Sequence, residues 1–282
     1  MALLRKIVSR LTHWKGRPAH TEPYTPFPAP AMPRVRIAVA GDVGKRGRHA
    51  SAIAAAVARA GTERAYNVLL LLGDNVYPRG DPALLPTTVF EPYRPVLAAG
   101  ATLLAILGNH DVMRGHGPEQ LRRLGQAGPW WSHCVDGVLI VGLDSTRVDD
   151  ATQRTWLEAT LRDTDARWKI VAIHASPYSS GYQGSSRAVR EAFVPLFERY
   201  GVRLVLSGHD HDYQRSHVIN GVTYVVAGGA STTRRAGRAP FTAVSFKWHH
   251  FVDVSVFDDH LLLRAINAEL RVGDTYALSL DR

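Results

Sequence analysis

The chain has 282 residues, enough for one large domain or two small ones and too many for a peptide hormone or a small disulfide scaffold. Hydrophobic residues make up 45% and charged residues 21%, as in a soluble globular chain rather than a disordered or collagenous one. The net charge is +9, and the single cysteine, Cys134, excludes an internal disulfide and a Cys-rich zinc knuckle, so any metal site must draw on His, Asp, Glu, Asn or Tyr. Residues 1 to 36 hold seven bases against one acid, Glu22, and so carry +6 of that charge. The remaining +3 is weak ground for a nucleic-acid-binding body, and nucleic acid is not expected as a partner. Leu3, Leu4, Ile7, Val8, Leu11 and Trp14 recur at helical spacing opposite Arg5, Lys6 and Arg10, which predicts a basic amphipathic helix within residues 1–17. Such a helix could attach to an anionic membrane surface or a partner protein, or dock on its own domain. Six of the 16 prolines fall between Pro18 and Pro33, a linker or wrapping strap, so the expected division is a tail over 1–33 and a folded domain over 34–282. Charges interrupt the apolar residues near the amino terminus, leaving no signal-peptide core of roughly 7–15 residues. Apolar runs such as Val68–Leu72 have strand length rather than the roughly 20 residues of a membrane span, and the expected location is cytoplasmic.

From Val35 onward, buried strands are predicted at Val35–Ala40, Tyr66–Leu72, Thr102–Leu107, Val138–Leu143, Lys169–Ile173 and Arg203–Leu206. Between them, helices are predicted at His49–Ala60, Thr87–Ala99, Glu119–Gln126, Thr152–Arg162 and Arg187–Tyr200. This alternation implies an α/β protein with largely parallel sheet. Thr223–Val226, Phe251–Phe257, Leu261–Ile266 and Tyr276–Leu280 follow without helices, so an antiparallel or mixed portion is expected there. Trp130, Trp131, Trp156 and Trp168 are expected to fill the core or cover its edges, and Cys134 to be a small buried residue between Trp131 and Val138.

Several of these strands run into polar residues of one kind. Val35–Ala40 leads to Gly41-Asp42-Val43-Gly44, Val68–Leu72 to Gly73-Asp74-Asn75-Val76-Tyr77, and Leu103–Leu107 to Gly108-Asn109-His110-Asp111. Ile170–Ile173 delivers His174, and Leu204–Ser207 delivers Gly208-His209-Asp210-His211. Ligands of open α/β sheets bind outside the carboxyl ends of strands, so these five segments can converge. They would bring together Asp42, Asp74, Tyr77, Asn109, His174, His209 and His211, oxygen and nitrogen donors without a thiolate, suited to iron, manganese or zinc. The set is too large for one tetrahedral ion and fits two ions bridged by one carboxylate.

Gly-Asp-x-Gly, Gly-Asp-x-x-Tyr, Gly-Asn-His-Asp, a lone His after a strand and Gly-His-x-His, in this order, resemble the calcineurin-like metallophosphoesterase superfamily. Tyr77, and Gly44 in place of a His two residues after Asp42, resemble its purple acid phosphatase branch. Leu143-Asp144-Ser145 and Gln153-x-x-Trp156-Leu157 look like that branch's spacer segments. The resemblance implies a four-layer α/β/β/α sandwich of two mixed sheets flanked by helices. It also implies an ion held by Asp42, Tyr77 and His211, a second held by Asn109, His174 and His209, and Asp74 as the bridge. The ions implied are Fe(3+) on the tyrosinate side with Fe(2+), Zn(2+) or Mn(2+) beside it. The implied activity is hydrolysis of a small phosphorylated substrate, a phosphomonoester, by in-line attack of a metal-bound hydroxide. By the same analogy His110 protonates the leaving alkoxide or stabilises the phosphoryl group, and Asp111 could orient its ring.

The pattern departs after His174, where Ala175-Ser176-Pro177-Tyr178 follows and no His occurs before His209. Arg187 could supply a replacement phosphate donor or be a solvent-facing residue at a helix start. Lys45 and Arg46 could hold a polyanion at the mouth of the site or belong to a solvated loop. His217, close behind Gly208–His211, could line the pocket and is expected instead to be a strand residue. A phosphodiesterase acting on cyclic nucleotides, lipids or nucleic acid is the competing enzymatic reading. A non-catalytic phosphate-binding or membrane-recruited protein is the competing reading of another class. The oligomeric state is left open.

Overall fold

The computed structural model describes residue 18 and residues 20–25 and 32–280. The amphipathic helix expected within residues 1–17 and the prolines at 26, 28 and 30 lie outside the described residues. The strands, in chain order, are β1 (Glu22–Pro23), β2 (Val35–Ala40), β3 (Val68–Leu71), β4 (Thr102–Ala105), β5 (Trp131–Val135), β6 (Val138–Leu143) and β7 (Trp168–Ile173). They continue with β8 (Leu204–Ser207), β9 (Tyr213–Ser216), β10 (Thr223–Ala227), β11 (Thr242–Phe246), β12 (Phe251–Val256), β13 (His260–Ile266) and β14 (Arg271–Ser279). The helices are α1 (Arg48–Ala60), α2 (Glu91–Ala98), α3 (Gly117–Arg123), α4 (Ala151–Arg162) and α5 (Arg187–Arg199).

Two seven-stranded sheets form, one in the order β1-β14-β13-β12-β2-β3-β4 and the other β11-β9-β10-β8-β7-β6-β5. In each, the strands that precede the polar motifs run parallel: β2 with β3 and β3 with β4, then β6 with β7 and β7 with β8. Antiparallel pairing occurs elsewhere in each sheet: β12, β13 and β14, the meander expected from the helix-free end of the chain, join β2 antiparallel in the first, and β5, β9 and β11 pair antiparallel in the second.

Side-chain alternation builds the layers. Val35, Ile37 and Val39 of β2 join Ile140 of β6, Ile170 of β7 and Leu204 of β8 in a core between the sheets. Ala38 and Ala40 face the other way, onto Ile53 and Val57 of α1 and Val96 beyond them on α2. Val141, Val171 and Val205 pack against Leu157 of α4 and Phe193 and Phe197 of α5. Helix, sheet, sheet and helix therefore stack as four layers, and β2, β3 and β8, which lead to motifs, are buried along their whole length, whereas the edge strand β4 is buried only toward its motif end.

The outer face of the first sheet also hides charge. Arg36 Nη2 lies 2.6 Å from Asp253 Oδ2 and 2.9 Å from the Tyr24 hydroxyl, and Tyr66 donates to the same carboxylate at 3.1 Å. Residues 20–25 are seated across this cluster: β1 pairs with β14, and Tyr24 N donates to Leu270 O at 2.8 Å. The sequence pattern did not predict β1, β5, β9 or β11. Cys134 is a correction, because β5 is an edge strand on which alternate residues face water, and Cys134 is exposed. Trp131 and Trp168 are buried, whereas Trp130 and Trp156 pack from the edge. The predicted helix Thr87–Ala99 is interrupted: a wide turn over Pro86–Phe90 precedes α2, in keeping with prolines at 86, 92 and 95, which lack an amide donor.

Candidate metal centre

All five motifs lie at the carboxyl ends of parallel strands, on the same edge of the sandwich. Three of their side chains, Asp42, Asp74 and His174, are buried with their ligand atoms within 4.8 Å of one another. Asp42, Asp74 and His209 adopt left-handed backbone conformations, with φ of 58°, 53° and 68°. Non-glycine residues enter that region at a cost, and such strain is concentrated where a side chain must be aimed. Gly73, at φ 86°, passes so close to its neighbours that a Cβ would stand 2.6 Å from Gly108 N and 2.7 Å from His174 Nδ1. A Cβ on Gly108 would overlap the Asp74 carboxylate. Both glycines let separate strand ends touch.

Backbone amides then fix the carboxylates. His209 N donates to Asp42 Oδ2 and His110 N to Asp74 Oδ1, each at 2.9 Å. The Tyr77 hydroxyl lies 2.8 Å from both Asp42 Oδ1 and Asp74 Oδ2 and 3.1 Å from His211 Nε2. On the other side of Asp74, His174 Nε2 lies 3.5 Å from Oδ2 and 3.2 Å from Asn109 Oδ1. The His209 ring stands 5.0 Å from that of His174. Asp74 is thus placed between one group made of Asp42, Tyr77 and His211 and another made of Asn109, His174 and His209.

Imidazole orientation is set by outer partners. Leu72 O accepts from His174 Nδ1 at 2.7 Å, and Thr232 Oγ1 lies 3.0 Å from His211 Nδ1. Each contact leaves Nε2 facing the carboxylates, the arrangement usual for metal-ligating histidines.

The electrostatics call for cations. Among the described residues the ion-pair partners of Asp42 and Asp74 are all histidines. Burial opposes a charge on His174, yet Asp74 and Asp42 raise its imidazole to about 10. Burial likewise opposes the Asp74 carboxylate, but His174, the His110 amide and Tyr77 hold it well below the usual range. Burial and the two carboxylates push the Tyr77 hydroxyl far above that of a free tyrosine. Burial and neighbouring His174 lower His209. In the protein alone, protons on His174 and Tyr77 compensate two buried carboxylates; cations would replace those protons. Oxygen and imidazole donors without sulfur suit iron, zinc or manganese, and these residues fit such ions.

A cleft of about 380 Å³ opens over this cluster, lined in part by Lys45, Asp74, Tyr77, His110, His209 and His211. His110 is part-exposed, its Nδ1 2.7 Å from Pro78 O and its Nε2 4.0 Å from Asp74 Oδ2. Asp111 does not orient that ring, a correction to the sequence reading. Its buried carboxylate accepts from Gly108 N, Asn75 N, Asn75 Nδ2, Val76 N and Gln120 Nε2 at 2.9–3.1 Å. It ties two motif loops to α3, and burial, with Asp74 nearby, pushes its pKa up to about 6. Arg187 is a second correction. It stands exposed at the start of α5, paired with Glu191 at 2.6 Å, and is not among the cleft's residues. Arg46 is also exposed and outside the lining, as is His217, just beyond β9.

Sequence reasoning missed Gln183, Thr232, Thr233 and Arg234 in the cleft wall. The last three follow β10, where Gly228 and Gly229 precede a run of hydroxyl residues. That strand-end signal is of the same kind as the five recognised, but it lacks a metal-ligand residue type.

The sequence profile described as calcineurin-like phosphoesterase matches residues 35–213, more than half of the chain. Purple acid phosphatase 17 of Arabidopsis thaliana is 26% identical over 76% of this chain and 74% of its own length. An uncharacterized protein of Mycobacterium tuberculosis is 29% identical over 46% of this chain; the match spans only 29% of that protein. The purple acid phosphatase from yellow lupin seeds superposes with a TM-score of 0.76 at 20% identity, over 87% of this chain and 53% of that one. GAP50, the anchor in the inner membrane complex of Plasmodium, shares the fold equally well, with a TM-score of 0.76 at 18% identity over 88% of this chain and 89% of its own. Among the described residues, no helix is long and apolar enough to cross a membrane.

Proposed function

Because the chain belongs to the calcineurin-like phosphoesterase family and is purple acid phosphatase-like, we propose that it is a dinuclear-metal phosphomonoesterase. The observation that carries this reading is the position of Asp74, whose Oδ2 lies 2.8 Å from Tyr77 Oη and 3.5 Å from His174 Nε2, between two sets of donors. Asp42, Tyr77 and His211 would hold one ion, Asn109, His174 and His209 the other, with Asp74 shared. The phenol favours Fe(3+) beside it, with Fe(2+), Zn(2+) or Mn(2+) in the second position. Ions held there supply Lewis-acid charge that offsets the negative charge on the phosphoryl oxygens and acidifies water.

The chain's own groups do the rest. Lys45 draws a phosphate dianion into the cleft, and the hydroxyls of Thr232 and Thr233 can donate to it. His110, anchored through Nδ1 to Pro78 O, presents Nε2 to the cleft; protonated there, it delivers a proton to the departing alkoxide. The Asp42 and Asp74 carboxylates keep their geometry because backbone amides hold one oxygen of each.

The GAP50 likeness leaves a non-catalytic role as the rival, since fold does not fix function. Retention of all seven donor residues favours turnover. The test is initial rates on an aryl phosphate monoester and the matching diester, with protein loaded separately with iron, zinc and manganese. Monoester preference supports the proposal. Diester preference replaces it with a phosphodiesterase, and no turnover of either by metal-loaded protein favours a binding role.

A further inference from the structure

Next to Gln183 and Arg234 of the cleft's lining stands a side chain outside the lining that the metal chemistry does not require. Tyr182 is 76% exposed, more than any other exposed large hydrophobic side chain among the described residues. An aromatic ring left in water forgoes burial, and in a loose loop that would mean little. This loop is not loose. Ser179 Oγ donates to Asp210 Oδ2 at 2.5 Å and Gln183 N to Asp210 Oδ1 at 2.7 Å, while Ser180 N donates to Gln214 Oε1 at 2.7 Å. Gly181 is pressed onto the same carboxylate, so that a Cβ there would lie 2.5 Å from Asp210 Cγ. Tyr182 therefore projects outward from a segment pinned on both sides.

Its ring has one neighbour of note. The Arg234 guanidinium carbon lies 4.9 Å from the ring centroid, within cation–π range, and Arg234 itself lines the cleft. Arg234 N donates to His211 O at 2.7 Å. Both members of the pair are thus registered to the Gly208–His211 turn, Tyr182 through Asp210 and Arg234 through His211. The lining near them, Lys45, Gln183, Thr232 and Thr233, offers hydrogen-bond donors, and Asp74 is the only carboxylate there.

We propose that Tyr182 and Arg234 form a leaving-group subsite for phosphate monoesters carrying a planar aromatic ring, a nucleoside monophosphate being the type. The reading rests on the phosphomonoesterase assignment above. The phosphate enters toward Asp74 and His110, and the ring stacks on the Tyr182 and Arg234 wall, both of whose partners are π-faced and planar. Asp210 is the positioning residue, holding the wall at a fixed offset from the ligands on either side of it.

The test compares metal-loaded enzyme on AMP and ribose 5-phosphate, which share the phosphate and pentose and differ by the base, with an aryl phosphate as reference. Stacking on one aromatic platform predicts about a tenfold or larger preference in kcat/KM for AMP, expressed mainly in KM. Tyr182→Ala should bring the two esters within about twofold while leaving ribose 5-phosphate turnover near wild type, and Tyr182→Phe should keep the preference. Equal kcat/KM for the two esters in the wild type overturns the subsite alone, as does an unchanged preference in Tyr182→Ala. Loss of the aryl phosphate reaction as well overturns the phosphomonoesterase reading and the subsite with it.

Discussion

Tyr77 Oη lies 2.8 Å from Asp74 Oδ2, and the same hydroxyl reaches Asp42 Oδ1 at 2.8 Å. One phenol therefore serves two buried carboxylates, and its proton is held there by their charge. Tyr77→Phe removes that link while preserving the ring. We expect the variant to bind iron more weakly and to lack the visible absorption of an iron–tyrosinate pair. Wild-type iron affinity together with an unchanged visible spectrum would show that Tyr77 is not a ligand.

His110 is the proposed proton donor, so its loss should matter most where the leaving alkoxide is basic. His110→Gln is expected to lower kcat on an alkyl phosphate by about 10²–10⁴-fold and to affect a nitrophenyl phosphate much less. Equal losses on the two esters would argue that His110 stabilises the phosphoryl group instead.

The Asp111 carboxylate carries structural rather than catalytic weight. It is fully buried and accepts hydrogen bonds from two motif loops and from Gln120 of α3. Asp111→Asn turns an acceptor-only group into one whose NH₂ must face a donor, a loss of about 2–3 kcal/mol in urea unfolding. Stability within about 0.5 kcal/mol of wild type would contradict this role.

A pH dependence follows from His250, which lies outside the metal cluster. Its ring is fully buried, Nδ1 donates to Trp248 O at 2.9 Å, and Nε2 has no hydrogen-bond partner among the described residues. Burial pushes its pKa down from 6.5 to about 4. The unfolded chain therefore binds a proton more readily than the folded one between these values. Stability from the neutral ring is present above pH 6.5 and is lost as pH falls toward 4, with a slope of up to about 1.4 kcal/mol per pH unit. In metal-free protein, His250→Phe should flatten the unfolding free energy across this window relative to wild type. Parallel pH profiles for the two proteins would contradict the assignment.

Much of this centre was legible in the sequence because its chemistry constrains residue type. A buried strand ending in Gly-Asp, Gly-Asn-His-Asp or Gly-His-x-His is hard to satisfy with any other residues, and all seven donors fall within the cluster. Side-chain direction was not legible. Arg187 and Arg234 are chemically identical, and only tertiary structure shows that the first pairs with Glu191 while the second lines the cleft. Strand β9 was missed because Gln214 and Arg215 are polar, although both are buried through Ser180 and Asp274. Asp111 was assigned to His110 by adjacency along the chain, whereas its five amide donors come from folding.

The central claim is that Asp74 serves two cations at once, and metal stoichiometry tests it most directly. Elemental analysis of purified protein and of Asp74→Ala, after identical reconstitution and desalting, is expected to give two ions per wild-type chain and loss of both in the variant. Wild-type metal content in Asp74→Ala would contradict the shared-ligand assignment and with it the dinuclear account of this site.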